Sequence, residues 1–194
     1  MRSNPSVWIA LIGAFVCGCA APRSGKPVAK ELSGSDPDAQ LAFWHELPDE
    51  PVASNDQAFH AILLYADNQD DSADYAARVA AMKKRSMLPK SFNEPAEAAA
   101  QRGTLAVAIL QILHERGGVT MHIFGPTPRY ATRELMFLNV YPSCTPNQAL
   151  SGNELVGIIG RVEDYQRGNP ADYPASVLPG EVQSSPASTQ AVRE

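Results

Sequence analysis

The sequence predicts a small, mainly α-helical domain built from helix-loop-helix repeats, with at most one short strand or hairpin. Apolar residues recur at three- and four-residue spacing along most of the middle of the chain, which is typical of amphipathic helices. Pro and Gly interrupt this pattern at intervals that suit loops between short helices. Residues 39–168 are therefore expected to fold as one domain of ordinary size.

The N-terminal end has the composition of an export signal. Arg2 supplies a positive charge, and Val7–Val16 is an apolar run of 10 residues, too short to span a bilayer at about 20 residues. This run leads into Val16-Cys17-Gly18-Cys19. The segment resembles the lipobox of bacterial lipoproteins, which implies that residues 1–18 are a signal peptide and that Cys19 carries lipid.

Lipid on Cys19 would place the protein in the cell envelope, on the outer side of the cytoplasmic membrane or in an outer membrane. Cleavage at Ala20-Ala21, giving a soluble exported product, is the alternative. Residues 19–38 are rich in Pro, Gly, Ser and charge and lack an apolar period, so they are predicted to be a flexible tether. Residues 169–194 have a similar composition and are predicted to be a disordered tail.

Six helices are expected within the domain. A capping-box arrangement of Ser151 and Glu154 predicts where the last of them begins. Thr104–His114 is the most apolar and is expected to be the central core helix, with Leu105 and Ile109 buried. Five other helices are expected: Asp38–Leu47, one capped by Ser54 or Asn55, Asp70–Arg85, Thr132–Asn139 and Ser151–Tyr165. The first of these places Leu41, Trp44 and Leu47 on one face. Val119–Phe124 is the one candidate strand.

Two segments, Ala80–Leu113 and Arg133–Val162, repeat the same order of features. In each, a helix ends, a loop follows and a second helix begins. The sequences at these points are Arg85-Ser86-Met87-Leu88-Pro89 and Gln101-Arg102-Gly103-Thr104-Leu105 in one copy, and Leu138-Asn139-Val140-Tyr141-Pro142 and Ser151-Gly152-Asn153-Glu154-Leu155 in the other.

This unit resembles the S-layer homology repeat, in which a helix ends in a Gly-aliphatic turn and a Thr-Arg-Ala-Glu-Leu type motif begins the next helix. The resemblance covers 80–165, and only fragments of the motif are present. One copy has Arg102 and the other has Glu154, while Ser86 and Asn139 stand in place of the turn glycine. The resemblance implies binding of cell-wall polysaccharide by Arg102 and Glu154. Separately from it, Tyr130 could stack on a sugar, with Arg129 and Arg133 as its polar complement.

The sequence contains no pattern of a known catalytic or metal site. It has no His-Glu-x-x-His or paired-cysteine spacing, so we expect no metal and no cofactor. Cys144 is the only cysteine expected in the mature domain, either as an inert thiol or as a nucleophile assisted by a histidine. Four carboxylates lack the order of an EF-hand loop and are interpreted as helix caps and solvated charge; they are Asp67, Asp70, Asp71 and Asp74.

The net charge of −5, without a basic stripe, argues against nucleic-acid binding. Loop aromatics either stack on sugars or close the ends of the core; they are Phe92, Phe124, Tyr130 and Tyr141. The preferred hypothesis is a non-enzymatic, lipid-anchored envelope protein that binds a cell-wall polymer or another envelope protein. An envelope hydrolase with an unrecognised site is the alternative.

Overall fold

The computed structural model describes residues 26–33, 36–115 and 126–168, and it confirms the mainly α-helical fold class. Six α-helices and no sheet lie in these ranges. The helices are α1 (Pro37–Glu46), α2 (Asn55–Asp67), α3 (Tyr75–Lys84), α4 (Arg102–Ile112), α5 (Pro128–Phe137) and α6 (Gly152–Gln166), with a 3-10 turn at Leu47–Asp49 after α1. The expected signal peptide, Cys19, the strand at 119–124 and the tail at 169–194 lie outside the described residues.

The six helices form three consecutive helix-loop-helix units, one more than the sequence comparison detected. Unit 1 contains α1 and α2, unit 2 contains α3 and α4, and unit 3 contains α5 and α6. The second helix of each unit follows a short extended segment, and isolated antiparallel bridges join these segments at Ser54–Ala99 and Gln101–Ala149.

A closed cycle of backbone hydrogen bonds, which we call the backbone ring, joins the three units. Ala53 N–H donates to Leu150 O at 2.8 Å, Leu150 N–H to Ala100 O at 3.2 Å, and Ala100 N–H to Ala53 O at 2.9 Å. All three residues are buried, so water cannot replace these bonds. Each ring residue lies directly before the N-cap of α2, α4 or α6, and the ring therefore brings the N-termini of these three helices together.

The first amide of each second helix is bonded to the loop of another unit. Asn55 N–H donates to Ala98 O at 2.8 Å, Arg102 N–H to Gln148 O at 2.9 Å, and Gly152 N–H to Glu50 O at 2.9 Å. These bonds satisfy donors that a helix N-terminus leaves free. Reciprocal capping boxes, Ser54 with Gln57 and Ser151 with Glu154, stabilise α2 and α6 further, as predicted for α6.

Left-handed residues follow five of the six helices. Asn68, His114 and Gly168 follow α2, α4 and α6, with φ of 58°, 56° and 82°. Ser86 and Asn139 follow α3 and α5, with φ of 58° and 59°. These last two are the residues that replace the turn glycine in the sequence resemblance, and both adopt the conformation that favours glycine.

The core lies where the units meet. Leu105 and Ile109 are buried in α4, as predicted. Leu47 is buried as predicted, but Leu41 is 58% exposed, because α1 turns Phe43 toward the core instead. α3 begins at Tyr75 rather than Asp70, since the Asp74 side chain accepts a hydrogen bond from Ala77 N–H and caps it there.

The segment 26–33 packs against the domain, although the sequence analysis assigned it to the tether. Val28 and Leu32 contact the core, and Val28 N–H donates to the Asp56 carboxylate at 2.9 Å. Ser33 Oγ accepts a hydrogen bond from Arg78 at 2.9 Å. This packing could not be predicted, because Val28 and Leu32 are the only large apolar residues in a segment rich in Lys, and two residues are too few to define an apolar pattern.

Gly152 tests the close packing around the backbone ring. A Cβ atom here would lie 1.6 Å from Leu47 O, whereas one at Gly157 of the same helix would meet nothing within 4 Å. We therefore expect Gly152→Ala to lower the free energy of unfolding by at least the roughly 1–3 kcal/mol typical of overpacking. Gly157→Ala, the matched control, should raise it by about 0.5–1 kcal/mol. Urea denaturation measures both, and equal effects would contradict the packing described.

Candidate functional site

Arg102 and Glu154, two of the residues singled out by the sequence, form an ion pair between units 2 and 3. Arg102 Nη2 donates to Glu154 Oε1 at 2.6 Å, and the Arg102 side chain is only 3% exposed. The other Glu154 oxygen accepts the Ser151 N–H at 2.9 Å in the capping box of α6. Tyr141 Oη donates to Arg102 O at 3.1 Å. This geometry favours a structural role for the pair, and its role in ligand binding stays a prediction.

Arg129 and Tyr130 lie in the first turn of α5 and differ in their surroundings. Arg129 is exposed and forms no hydrogen bond or ion pair with a described residue. Tyr130 is half-buried and packs against the core. Phe92 and Tyr141 also belong to the core or its edge, with Phe92 in edge contact with Phe59 at 5.4 Å. Of the loop aromatics weighed for sugar stacking, those described therefore help to close the core.

Cys144 lies near Arg102 as a free, half-buried thiol. Burial raises the pKa of this thiol, although the positive charge of Arg102 opposes the shift. The group is consequently protonated at neutral pH and a poor nucleophile. Among the described residues, no group of three His, Cys, Asp or Glu side chains could hold a metal ion.

A buried charged network lies between units 1 and 2, where the sequence analysis expected capping and solvated charge. Arg78 donates to Asp70 and to Asp56, each at 2.5 Å. His60 Nδ1 lies 2.6 Å from the same Asp70 oxygen. Burial acts to raise the pKa of Asp70, but hydrogen bonds from His60, Arg78 and Ser72 outweigh it and hold that pKa well below its usual range.

The network is shaped to join elements rather than to meet a substrate. The His60 side chain is fully buried, its Nε2 has no hydrogen-bond partner, and the Phe43 ring lies across it at 4.6 Å. A general base must reach the proton that it abstracts, and this nitrogen faces only protein. Through Asp56 and Arg78 the network also holds the segment 26–33.

A surface groove, which we call the end groove, lies at the C-terminal ends of the second helices, opposite the backbone ring. It consists of two depressions of about 540 and 700 Å³ that share Asp67 and Arg85. The first is bordered by the loop after α2, with Gln69, Asp71 and Ser72. Each volume falls within the roughly 300–1,000 Å³ of small-molecule sites.

The larger depression joins all three units. Tyr65 is contributed by α2, Gln111 by the end of α4, and Glu163 and Gln166 by the end of α6. Tyr65 Oη donates to Gln166 Oε1 at 2.6 Å, which fixes the ring at the groove wall. Gln111 is exposed and its side chain forms no hydrogen bond with a described residue, so its amide is available to a ligand.

Sequence reasoning missed both the network and the end groove. Asp56 and His60 are four residues apart on the apolar face of α2, and charge on such a face is a detectable sign of a buried network. The groove has no comparable signal, because its walls are three helix ends brought together only by the fold.

Comparison of the chain with protein-family models, with curated protein sequences and with solved structures finds no match. In the described ranges, no helix has both the length and the apolar character needed to cross a membrane.

The pH dependence of stability tests the buried network. Because the pKa of Asp70 is lower in the folded chain than its unfolded value of about 4, its ionised form stabilises the fold above that pH. The stabilisation is lost as pH falls below about 4. Asp70→Asn should cost up to about 3–5 kcal/mol at neutral pH, because Arg78 loses one of its two buried carboxylate partners and keeps only Asp56. It should also flatten the acid limb, the fall in stability at low pH.

Asp49→Asn is the matched control, since it alters an exposed carboxylate without a hydrogen bond to a described residue. When unfolding in urea is followed at several pH values, the free energy of unfolding of Asp49→Asn should fall at low pH as much as that of the unmodified chain. An acid limb unchanged by Asp70→Asn would show that the network is not the source of acid sensitivity.

Proposed function

We propose that this protein is a lipid-anchored component of the bacterial cell envelope whose helical domain is a non-catalytic module that binds a cell-wall polymer through the end groove. The observation that carries the proposal is the groove itself: an open depression, lined by an aromatic ring, amides and carboxylates, at the junction of three units. Such a lining suits a ligand rich in hydroxyl and amide groups.

The anchor rests on the leader sequence, in which the apolar run ends at Val16-Cys17-Gly18-Cys19. Two or three acyl chains on Cys19 would hold the protein at a membrane almost irreversibly, at about 0.8 kcal/mol for each buried CH2. A domain kept at that surface meets the cell wall at high local concentration, so even a weak site would be occupied.

Similarity to the S-layer homology repeat is a second, less specific support for polymer binding. The unit occurs three times, its second helices begin at a common point, and Ser86 and Asn139 take left-handed conformations at the turn. Arg102 is buried, whereas a residue that binds a polymer must be exposed. We therefore place the ligand in the end groove and assign Arg102 to the contact between units 2 and 3.

Two other functions are possible for such a domain, a protein-binding module and an envelope hydrolase. A protein partner is favoured by Phe137, which is 80% exposed at the end of α5 and is the kind of aromatic anchor that interfaces use. An envelope hydrolase is disfavoured by the enclosed His60 and by the raised pKa of the Cys144 thiol.

Metabolic labelling tests the anchor. Cells given a radioactive fatty acid should label the unmodified protein and leave Cys19→Ala unlabelled, because the Cys19 thiol is the proposed acceptor. Equal labelling of the two proteins would remove the lipid from this account.

Sedimentation with purified sacculi tests polymer binding. The mature chain with Cys19→Ala, which lacks lipid, should sediment with sacculi, whereas the same protein unfolded in urea before mixing should not. If the folded chain, checked by circular dichroism, stays in the supernatant at low salt, polymer binding is refuted. Phe137→Ser should leave sedimentation unchanged, since Phe137 does not line the end groove.

A further inference from the structure

We infer that the end groove takes a linear polymer of hexosamines, several sugars long, rather than an anionic polymer. This inference rests on the proposed function, because it specifies the ligand of that same groove. Three features carry it: the length of the groove, the charge of its walls and the groups that face its opening.

The length follows from the way the two depressions meet. Asp67 and Arg85 form an ion pair between α2 and the end of α3, and both residues line both depressions. The two depressions therefore adjoin at this pair, and both of its members are partly exposed. A ligand lying over this pair would occupy both depressions at once, as a chain can and a single sugar cannot.

The charge of the walls excludes an anionic chain. Among the described residues, those that line the groove include four carboxylates, Asp67, Asp70, Asp71 and Glu163, against the guanidinium of Arg85 and the imidazole of His114. From behind the walls, Arg78 pairs with Asp70 and Arg167 pairs with Glu163. Even with these two counted, the described part of the groove has no excess of positive charge to attract carboxylate or phosphate groups of a polymer.

The remaining polar groups match amino sugars. Gln111 offers an amide that can both donate and accept, and Gln69 and Ser72 line the smaller depression. Acetamido and hydroxyl groups need such mixed partners, and a free amine pairs with carboxylate walls. The half-buried Tyr65 ring, held by Gln166, supplies a rigid surface for the apolar face of a sugar.

Calorimetric titration of the mature Cys19→Ala chain tests the ligand class with four probes. These are the hexamer and the dimer of N-acetylglucosamine, the hexamer of glucosamine and the hexamer of galacturonic acid. Both hexosamine hexamers should bind, the dimer at least about tenfold more weakly because it reaches one depression only. The galacturonic acid hexamer should show no binding, and binding equal to that of the hexosamines would overturn the charge argument.

Variants of groove residues test whether the hexosamine hexamers bind in the end groove. Gln111→Arg puts a bulky cation into the larger depression and should weaken both hexosamine hexamers at least about tenfold. Gln148→Arg makes the same change at an exposed glutamine near the backbone ring and should leave affinity unchanged. Tyr65→Ala should also weaken binding while Tyr65→Phe retains it, since Phe keeps the ring.

The outcomes separate this inference from the proposed function. If the mature Cys19→Ala chain sediments with sacculi but binds neither hexosamine hexamer, the inference fails and polymer binding stands. The same holds if adding Gln111→Arg leaves the affinity for these hexamers unchanged. If the mature Cys19→Ala chain does not sediment at all, the proposed function fails with the inference.

Discussion

The backbone ring is the constraint on which the rest of this structure depends. Three buried residues, Ala53, Ala100 and Leu150, exchange hydrogen bonds in a cycle and place the N-termini of α2, α4 and α6 at one point. An unpaired buried amide costs about 1–3 kcal/mol, so no unit can leave without exposing donors and acceptors in the other two. The units are therefore expected to fold together rather than as independent repeats.

This arrangement gives the domain two unlike ends. At the ring, helix N-termini are satisfied by loops of neighbouring units, by two capping boxes and by the Arg102–Glu154 pair, which leaves few polar groups for a ligand. At the other end, the helices terminate at left-handed residues, and their last turns form the walls of the end groove. The closed end provides stability, and the open end carries the proposed binding site.

The amount predictable from sequence differs between these features. Local signals were sufficient for the helices, because spacing of apolar residues and the Ser151–Glu154 capping box act within one element. Unit 1 was missed, since α1 ends in a 3-10 turn instead of a left-handed turn like those at Ser86 and Asn139. The sequence pointed to Arg102, but only the fold shows that its side chain is buried. The buried charged network around Asp70 and the end groove could not be predicted, because both depend on contacts between units.

Native-state hydrogen exchange of the ring amides tests this account most directly. If the ring holds the three units as one cooperative structure, the amides of Ala53, Ala100 and Leu150 should be among the slowest to exchange. All three should exchange with the same free energy of opening, equal to that of global unfolding measured in urea. If one ring amide exchanges with a smaller free energy of opening while the other two stay protected, its unit detaches alone. That result would contradict the central role of the ring.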